Sequence, residues 1–236
     1  MSQENNPLGQ PIDFTVPDWV PCELPSREPM EGRYCRLEFL NAERHARELY
    51  EANNASDGSI WTYMPYGPFD TLTEYTSWVE QTCAEQSTLF YAIIDLVTQK
   101  AVGVASYLRM DPANGVIEVG HINYAPALQR TPAGTEAMYL MMARIFDELG
   151  YRRYEWKCNN MNAASKRAAV RYGMTFEGIF RQATLSKGRN RDTAWYAIID
   201  KDWRRAKSAF EAWLSPDNLG QDHQQQKSLG DFMANK

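Results

Sequence analysis

The chain has 236 residues, 44% of them hydrophobic, with a formal net charge of −5 and a pI near 5.3. That size suits one α/β domain with extensions, and the apolar content is enough for a real core. The acidic balance argues against a nucleic-acid or anionic-membrane surface, since either needs a basic face. No apolar run approaches the ~20 residues of a membrane span.

The opening MSQENNPLGQ has no basic segment leading into an apolar one, so no signal peptide is read there. Cys22, Cys35, Cys83 and Cys158 are scattered and form no CxxC pair. Free thiols in a reducing cytoplasm are expected, with Cys158 in the core.

Residues 1–30 carry six prolines, from Pro7 to Pro29, and predict an extended arm. Phe14 and Trp19 are positioned to pin it to the body. RYCRLEFL alternates like a strand. NAERHARELYEAN reads as a helix capped by Asn41. An aromatic loop, IWTYMPYGPF, precedes a second helix, TLTEYTSWVEQTCAEQ. LFYAIIDL, AVGVASYLRM and VIEVGHINYA follow as three strands with turns between them. A long helix runs from Pro132 to Leu149 and stops at Gly150. RRYEWKCN is a strand, NAASKRAAVRYG a short helix, and TFEGIFRQATLS and DTAWYAIID two last strands. From Ser215 to Lys236 the chain turns polar and is expected to be mobile.

The order β-α-α-β-β-β-α-β-α-β-β gives an α/β (α+β) class. One domain, residues 31–214, is expected to hold a mixed, mostly antiparallel twisted sheet of about seven strands covered by helices on both faces. The long crossover helix implies a parallel pair.

The chemistry-bearing motifs are few. His45, His121 and His223 are too far apart for a local metal motif. No GxSxG, Walker loop or HExxH occurs. One stretch stands out, LQRTPAGTEAMYLMM from Leu128 to Met142. Thr131 sits at an N-cap and Pro132 at the first helical position, where its missing N–H costs nothing. The N–H groups of Ala133, Gly134 and Thr135 would favour an anion at the helix start, with Arg130 adding charge. The two roles compete, because a Thr131 hydroxyl that caps the helix removes a donor from a ligand.

In order along the chain, VIEVGHINYAPALQRTPAGTEA, the long helix, a strand, NNMNAASKRAAVRYGMTFEGIFRQ and KGRNRDTAWYAII resemble the GNAT superfamily of acetyltransferases. The ribosomal-protein N-acetyltransferase (RimJ/RimL-like) branch is the nearest in pattern. The resemblance covers about Arg33 to Trp203. It implies an acetyl-CoA-dependent N-acetyltransferase in which an amine attacks the thioester directly in a ternary complex, without a metal. The family loop Gln/Arg-x-x-Gly-x-Gly/Ala maps onto Gln129 to Gly134, with Pro132 replacing the inner glycine. Cofactor contacts are then expected at Ile122, Asn123, Tyr124, Gln129, Arg130, Ala133, Gly134, Thr135, Asn162 and Ser165. A bulky acid in place of Gly134 should block this cradle and leave the fold intact.

An amine must lose a proton to attack, and the leaving thiolate benefits from gaining one. Glu118 is the first candidate base and His121 the second. Strict alternation places residues 118, 120, 122 and 124 on one face and His121 on the other, unless a bulge near Gly120 intervenes. Many GNATs carry an acid tyrosine four residues before the glycine that ends the post-loop helix. Ala169 stands there, so Ser165 is the substitute, and Tyr172 is expected to pack.

Trp61, Tyr63, Tyr66 and Phe69 either wall the amine pocket or fill a core. A non-catalytic acyl-CoA-binding module on the same fold is the rival reading. The acceptor, a small molecule or a protein N-terminus, is left open, as is a homodimer.

Overall fold

A computed structural model describes residues 4–220 and 224–234, so His223 lies outside the described residues. Two short strands, β1 (Glu4–Asn5) and β2 (Pro11–Ile12), form a small hairpin. The body begins with β3 (Met30–Glu31), β4 (Cys35–Phe39), α1 (Ala42–Asn54) and α2 (Leu72–Ala84). Next come the meander β5 (Leu89–Asp95), β6 (Lys100–Asp111) and β7 (Val116–Tyr124), then α3 (Pro132–Ala143). β8 (Arg153–Asn159), α4 (Ala163–Arg171), β9 (Thr175–Ser186), β10 (Arg189–Ile199), α5 (Asp200–Leu214) and α6 (Leu229–Ala234) complete it.

The main sheet has eight strands in the order β3-β4-β5-β6-β7-β8-β10-β9, against the seven expected. The addition is β3, two residues long and too short to show any alternation. All pairs are antiparallel except β7 with β8, the pair that the long crossover implied.

Both faces are covered. One core packs α3, α4 and α5 on the sheet, around Tyr107, Ile117, Met138, Tyr154 and Phe210. The other packs α1 and α2 around Leu49, Trp61, Val79, Phe90 and Val104. Alternation in β5 serves both: Leu89, Tyr91 and Ile93 join the first core, Phe90, Ala92 and Ile94 the second.

Helix ends follow their caps. Asn41 Oδ1 accepts from Arg44 N at 2.9 Å, and Thr71 Oγ1 from Glu74 N at 3.2 Å. Two helices were not read from the sequence, α5 and the short α6, and α5 is the larger. Its Trp203, Ala206, Phe210 and Trp213 recur at helical spacing and are buried. But Asp200 follows the last β10 residue with no polar turn between, and no side chain caps the start. The expected strand simply runs into the helix.

From Phe14 to Glu28 the arm lies along the body. Prolines cannot donate, but their neighbours' carbonyls can accept. Tyr91, Arg144 and Tyr151 donate to the carbonyls of Ser26, Glu28 and Glu23 at 2.6, 2.6 and 3.0 Å. Trp19 Nε1 reaches Ala113 O at 2.8 Å, and Lys201 sits over the Phe14 ring.

At the other end, where composition suggested mobility, the described residues fold back. A 3₁₀ turn spans Pro216–Asn218, Leu219 bridges to Gln225, and α6 buries Leu229 in the first core. One buried asparagine organises this turn. Asn218 Nδ2 donates to the carbonyls of Trp213 and Lys227. No helix among the described residues is long and apolar enough to cross a membrane.

Candidate active site

Two strands that part company make the cleft. β7 and β8 pair from Val116↔Arg153 to Val119↔Trp156 and no further. Beyond that, β7 keeps only β6, through Asn123 and Tyr124, while β8 keeps only β10, through Cys158 and Asn159. The opening between them leads into a cleft of roughly 1910 Å³. Asn123 lies there almost fully buried, and its Nδ2 has no hydrogen-bond partner. An orphaned buried donor costs about 1–3 kcal/mol, so it points to a ligand acceptor.

Two bulges aim the polar side chains. Between the pairs Ser106↔Gly120 and Val104↔Asn123, β7 has one residue more than β6, and His121 there has φ +50°. This bulge moves His121 off its alternating face and onto that of Glu118. Its ring stacks on Tyr66, 5.6 Å between centroids and 8° between planes, and lies 4.8 Å from Phe90. The second bulge is on β6 between Leu108 and Asp111, with Arg109 at φ +46°. It brings Arg109 Nη1 to both oxygens of Glu118, at 2.7 and 2.8 Å. Lys157 Nζ adds a third contact at 2.7 Å while also meeting Glu155 at 2.7 Å and the Trp195 ring at 3.9 Å.

Glu118 is thus buried and held by two cations, an anchor more than a free base. His121 differs. Burial first, then the charges of Arg109 and Arg191, lower its pKa from 6.5 to about 4. It is a neutral imidazole at pH 7, with Nδ1 3.3 Å from the Tyr66 hydroxyl.

The α3 loop is more fully committed to the fold than its sequence suggests. Thr131 Oγ1 donates to Leu128 O at 2.7 Å and accepts from Gly134 N at 3.1 Å. Thr135 N donates to Thr131 O at 3.3 Å. So the N–H groups of Gly134 and Thr135 are not left for an anion, and the capping role wins. Ala133 is buried in the first helical turn.

Gly134 is required by packing rather than by a ligand's approach. A Cβ there would stand 2.7 Å from Leu128 O and 3.1 Å from Tyr124 Cε2. The expectation that Gly134 tolerates a bulky acid without unfolding is therefore withdrawn. Even Gly134→Ala should lose about 1–3 kcal/mol despite alanine's better helix propensity. A melting temperature equal to or above that of the parent protein would refute this.

Around the loop, Gln129 Nε2 ties back to Tyr124 O at 2.9 Å and Tyr124 Oη donates to Gly134 O at 2.9 Å. Ile122 and Tyr124 turn into the first core. Arg130 is exposed at φ +60°, and Arg171 Nη1 reaches Thr135 Oγ1 at 3.1 Å. Arg171, which sequence reasoning missed, and Arg130 both line this end of the cleft. Ser228, Leu229, Gly230 and Met233 from the tail also line the cleft.

At the middle, Asn162 caps α4, its Oδ1 accepting from Ser165 N at 3.1 Å. The asparagine, not the serine, is the cap. Ser165 Oγ instead accepts from Trp156 Nε1 at 2.9 Å, which leaves its own proton to donate. Tyr172 is buried between Trp156 and Phe210, as a packing residue. Cys158 is buried, and burial pushes its thiol up from 9.0.

The aromatic loop divides. Trp61 and Phe69 meet edge to face at 5.4 Å in the second core, and Phe69 continues onto Tyr75 at 5.2 Å. They are core, not pocket wall. Tyr66 serves His121 from behind. Of the loop's aromatic rings only Tyr63 lines the cleft, and its hydroxyl donates to Met161 O at 3.1 Å.

Among the described residues no group of three or more His, Cys, Asp or Glu is placed to hold a metal.

Comparison with known proteins agrees with this geometry. Residues 36–175 match the family model described as Acetyltransferase (GNAT) domain. A GCN5-related N-acetyltransferase from Brucella melitensis is 46% identical over 92% of this chain and 99% of its own, with a TM-score of 0.91. A probable acetyltransferase of the GNAT family from Chromobacterium violaceum is 39% identical, covering 82% and 97%, with a TM-score of 0.77. The microcin C7 self-immunity acetyltransferase, solved with acetyl-CoA and AMP, shares the fold at 23% identity, 71% and 93% coverage and a TM-score of 0.63. No match is found among curated proteins. The chain belongs to the GNAT acetyltransferase family and is an N-acetyltransferase.

Proposed function

We propose that the cleft carries acetyl transfer from acetyl-CoA to a primary amine by direct attack in a ternary complex. The observation that carries this is the parting of β7 from β8 with the orphaned Asn123 Nδ2 inside it. Acetyl-CoA supplies an activated acetyl thioester. Asn123 and the unpaired backbone of β7 would hold its extended arm, and Arg130 and Arg171 its phosphates. The bond balance is simple. A new N–C bond forms as the C–S bond breaks, the amine gives up one proton, and sulfur takes one.

For the first proton, His121 fits better than Glu118, since its neutral ring faces the cleft and Glu118 is held by Arg109 and Lys157. With Nδ1–H donating to the Tyr66 oxygen, Nε2 presents its lone pair. Buried Tyr66 keeps its hydroxyl proton, because burial raises its pKa. For the second proton, Ser165 donates, its hydroxyl polarised by the Trp156 N–H.

The RimJ/RimL-like branch rests on the Asn162 to Ser165 spacing alone. A cytoplasmic setting is consistent with four cysteines that are all unpaired. Two measurements on one protein test the reading. Acetyl-CoA should raise the melting temperature, as a ligand of the native state must, and amines should then release free thiol. Stabilisation without thiol release from any amine would favour the binding-module alternative, in which Thr131 takes a loop donor for the fold.

A further inference from the structure

Charge inside the cleft runs against the charge of the chain. Eight lysines or arginines line it with a single carboxylate, Glu118, in a protein of net charge −5. Arg130 and Arg171 belong to the α3 end. Glu118 occupies Arg109 and Lys157. Lys166 and Arg167 stand on α4, where Lys166 Nζ is held by Asn160. Arg191 and Lys187, from β10 and the turn before it, complete the eight.

Arg191 is half-buried and makes no ion pair or hydrogen bond from its side chain among the described residues. Its Nε is buried and has no hydrogen-bond partner among the described residues. It lies near enough to His121 and Cys158 for its charge to act on both, which places it at the reacting end, away from the α3 loop. A buried guanidinium donor is costly unless something accepts from it. The planar fork of donors fits a carboxylate or phosphate. Lys187 lines the same cleft, its Nζ donating to Trp61 O at 2.9 Å.

The same end is fenced. Tyr63 reaches Met161 O, and Lys187 reaches Trp61 O. The aromatic loop, the β8–α4 turn and the β9–β10 turn are thus tied together over the acceptor side. A small molecule fits behind such a fence better than a peptide chain that must run through it.

We infer that the acceptor is a small amine bearing a carboxylate or phosphate, and that Arg191 is the residue that selects it. This rests on acetyl transfer taking place in this cleft.

The experiment is a thiol-release assay with matched amines: free amino acids and β-alanine, their carboxamides, phosphoethanolamine, and spermidine. The acidic amines should exceed the carboxamides and spermidine by about 10-fold or more in kcat/KM, the range of one charge-assisted hydrogen bond. The carboxylate and phosphate arms report which acid is preferred. Arg191→Gln should collapse that ratio through KM, and Arg191→Lys should restore part of it. In both variants the stabilisation by acetyl-CoA should persist, which also checks that they fold. Equal or better turnover of the carboxamides or spermidine overturns the inference and leaves acetyl transfer standing. A ratio retained in Arg191→Gln removes Arg191 from the role. Thiol release from none of the amines overturns acetyl transfer itself, and the acceptor class with it.

Discussion

Glu136→Ala should be the most destabilising single substitution outside the apolar core, at about 3–5 kcal/mol. Glu136 sits in α3, 5% exposed. Its carboxylate accepts from three successive backbone donors, Arg33 N, Tyr34 N and Cys35 N, at 2.8, 2.6 and 2.8 Å. Truncation leaves those donors buried or half-buried with nothing to bond, at about 1–3 kcal/mol each and less than additively. The fit is close. A Cβ on Gly32 would come 2.3 Å from Glu136 Oε2, so the glycine makes room for the carboxylate. Next to it, burial first and then the Glu136 charge push the Cys35 thiol well above its usual range. Glu136→Gln keeps one acceptor oxygen and should fall between the two. Denaturant unfolding measures this, and a loss under about 1 kcal/mol for the alanine variant would show that the latch is not structural.

His121→Gln should reduce kcat by about 10²- to 10³-fold, the usual weight of a positioned proton acceptor. It should also change how stability depends on pH. His121 has a folded-state pKa of about 4 against 6.5 when unfolded. Between those values the unfolded chain binds the proton and the folded chain does not, so stability falls as pH drops through this window. Above pH 6.5 the group contributes no slope. At pH 4 the loss is on the order of 2–3 kcal/mol, and the glutamine variant should lack that part of it. For catalysis, no downturn in kcat/KM near pH 6.5 is expected from this ring. A full-activity His121→Gln enzyme, together with a Glu118→Gln enzyme that loses 10²-fold or more, would return the base to Glu118.

Much of the frame was legible because short-range rules decided it. Asn41 and Thr131 cap their helices where their side chains suggested. Alternation divided β5 between two cores, and the crossover helix implied the parallel pair. The Thr131 conflict was visible too, though not its outcome.

What escaped the sequence has a common cause. Arg109 reaches Glu118's face through a bulge on β6, at a non-glycine residue of positive φ, while the β7 bulge that turns His121 stood in the sequence only as an alternative to strict alternation. Alternation cannot register an extra residue that a neighbouring strand imposes. Nothing local marks Glu136 as buried: its partners are the amides of residues 33–35, about a hundred positions away. The aromatic loop gave composition without direction. Trp61 and Phe69 turned inward while Tyr63 faced the cleft, a choice made by packing against α2 and β5. Arg191 stands in a basic run, KGRNR, whose pattern does not say which of its side chains turns inward.

The α3 loop has a thermodynamic consequence. Thr131 closes it from both sides, Pro132 holds one dihedral, and Gln129 fastens it to the end of β7. Little conformational freedom is left for an arriving anion to remove, so the ordering entropy is met during folding rather than at binding. A loop poor in free donors but already in shape makes affinity here a matter of preorganisation. Loosening Thr131 would then weaken binding through entropy even as it released an N–H.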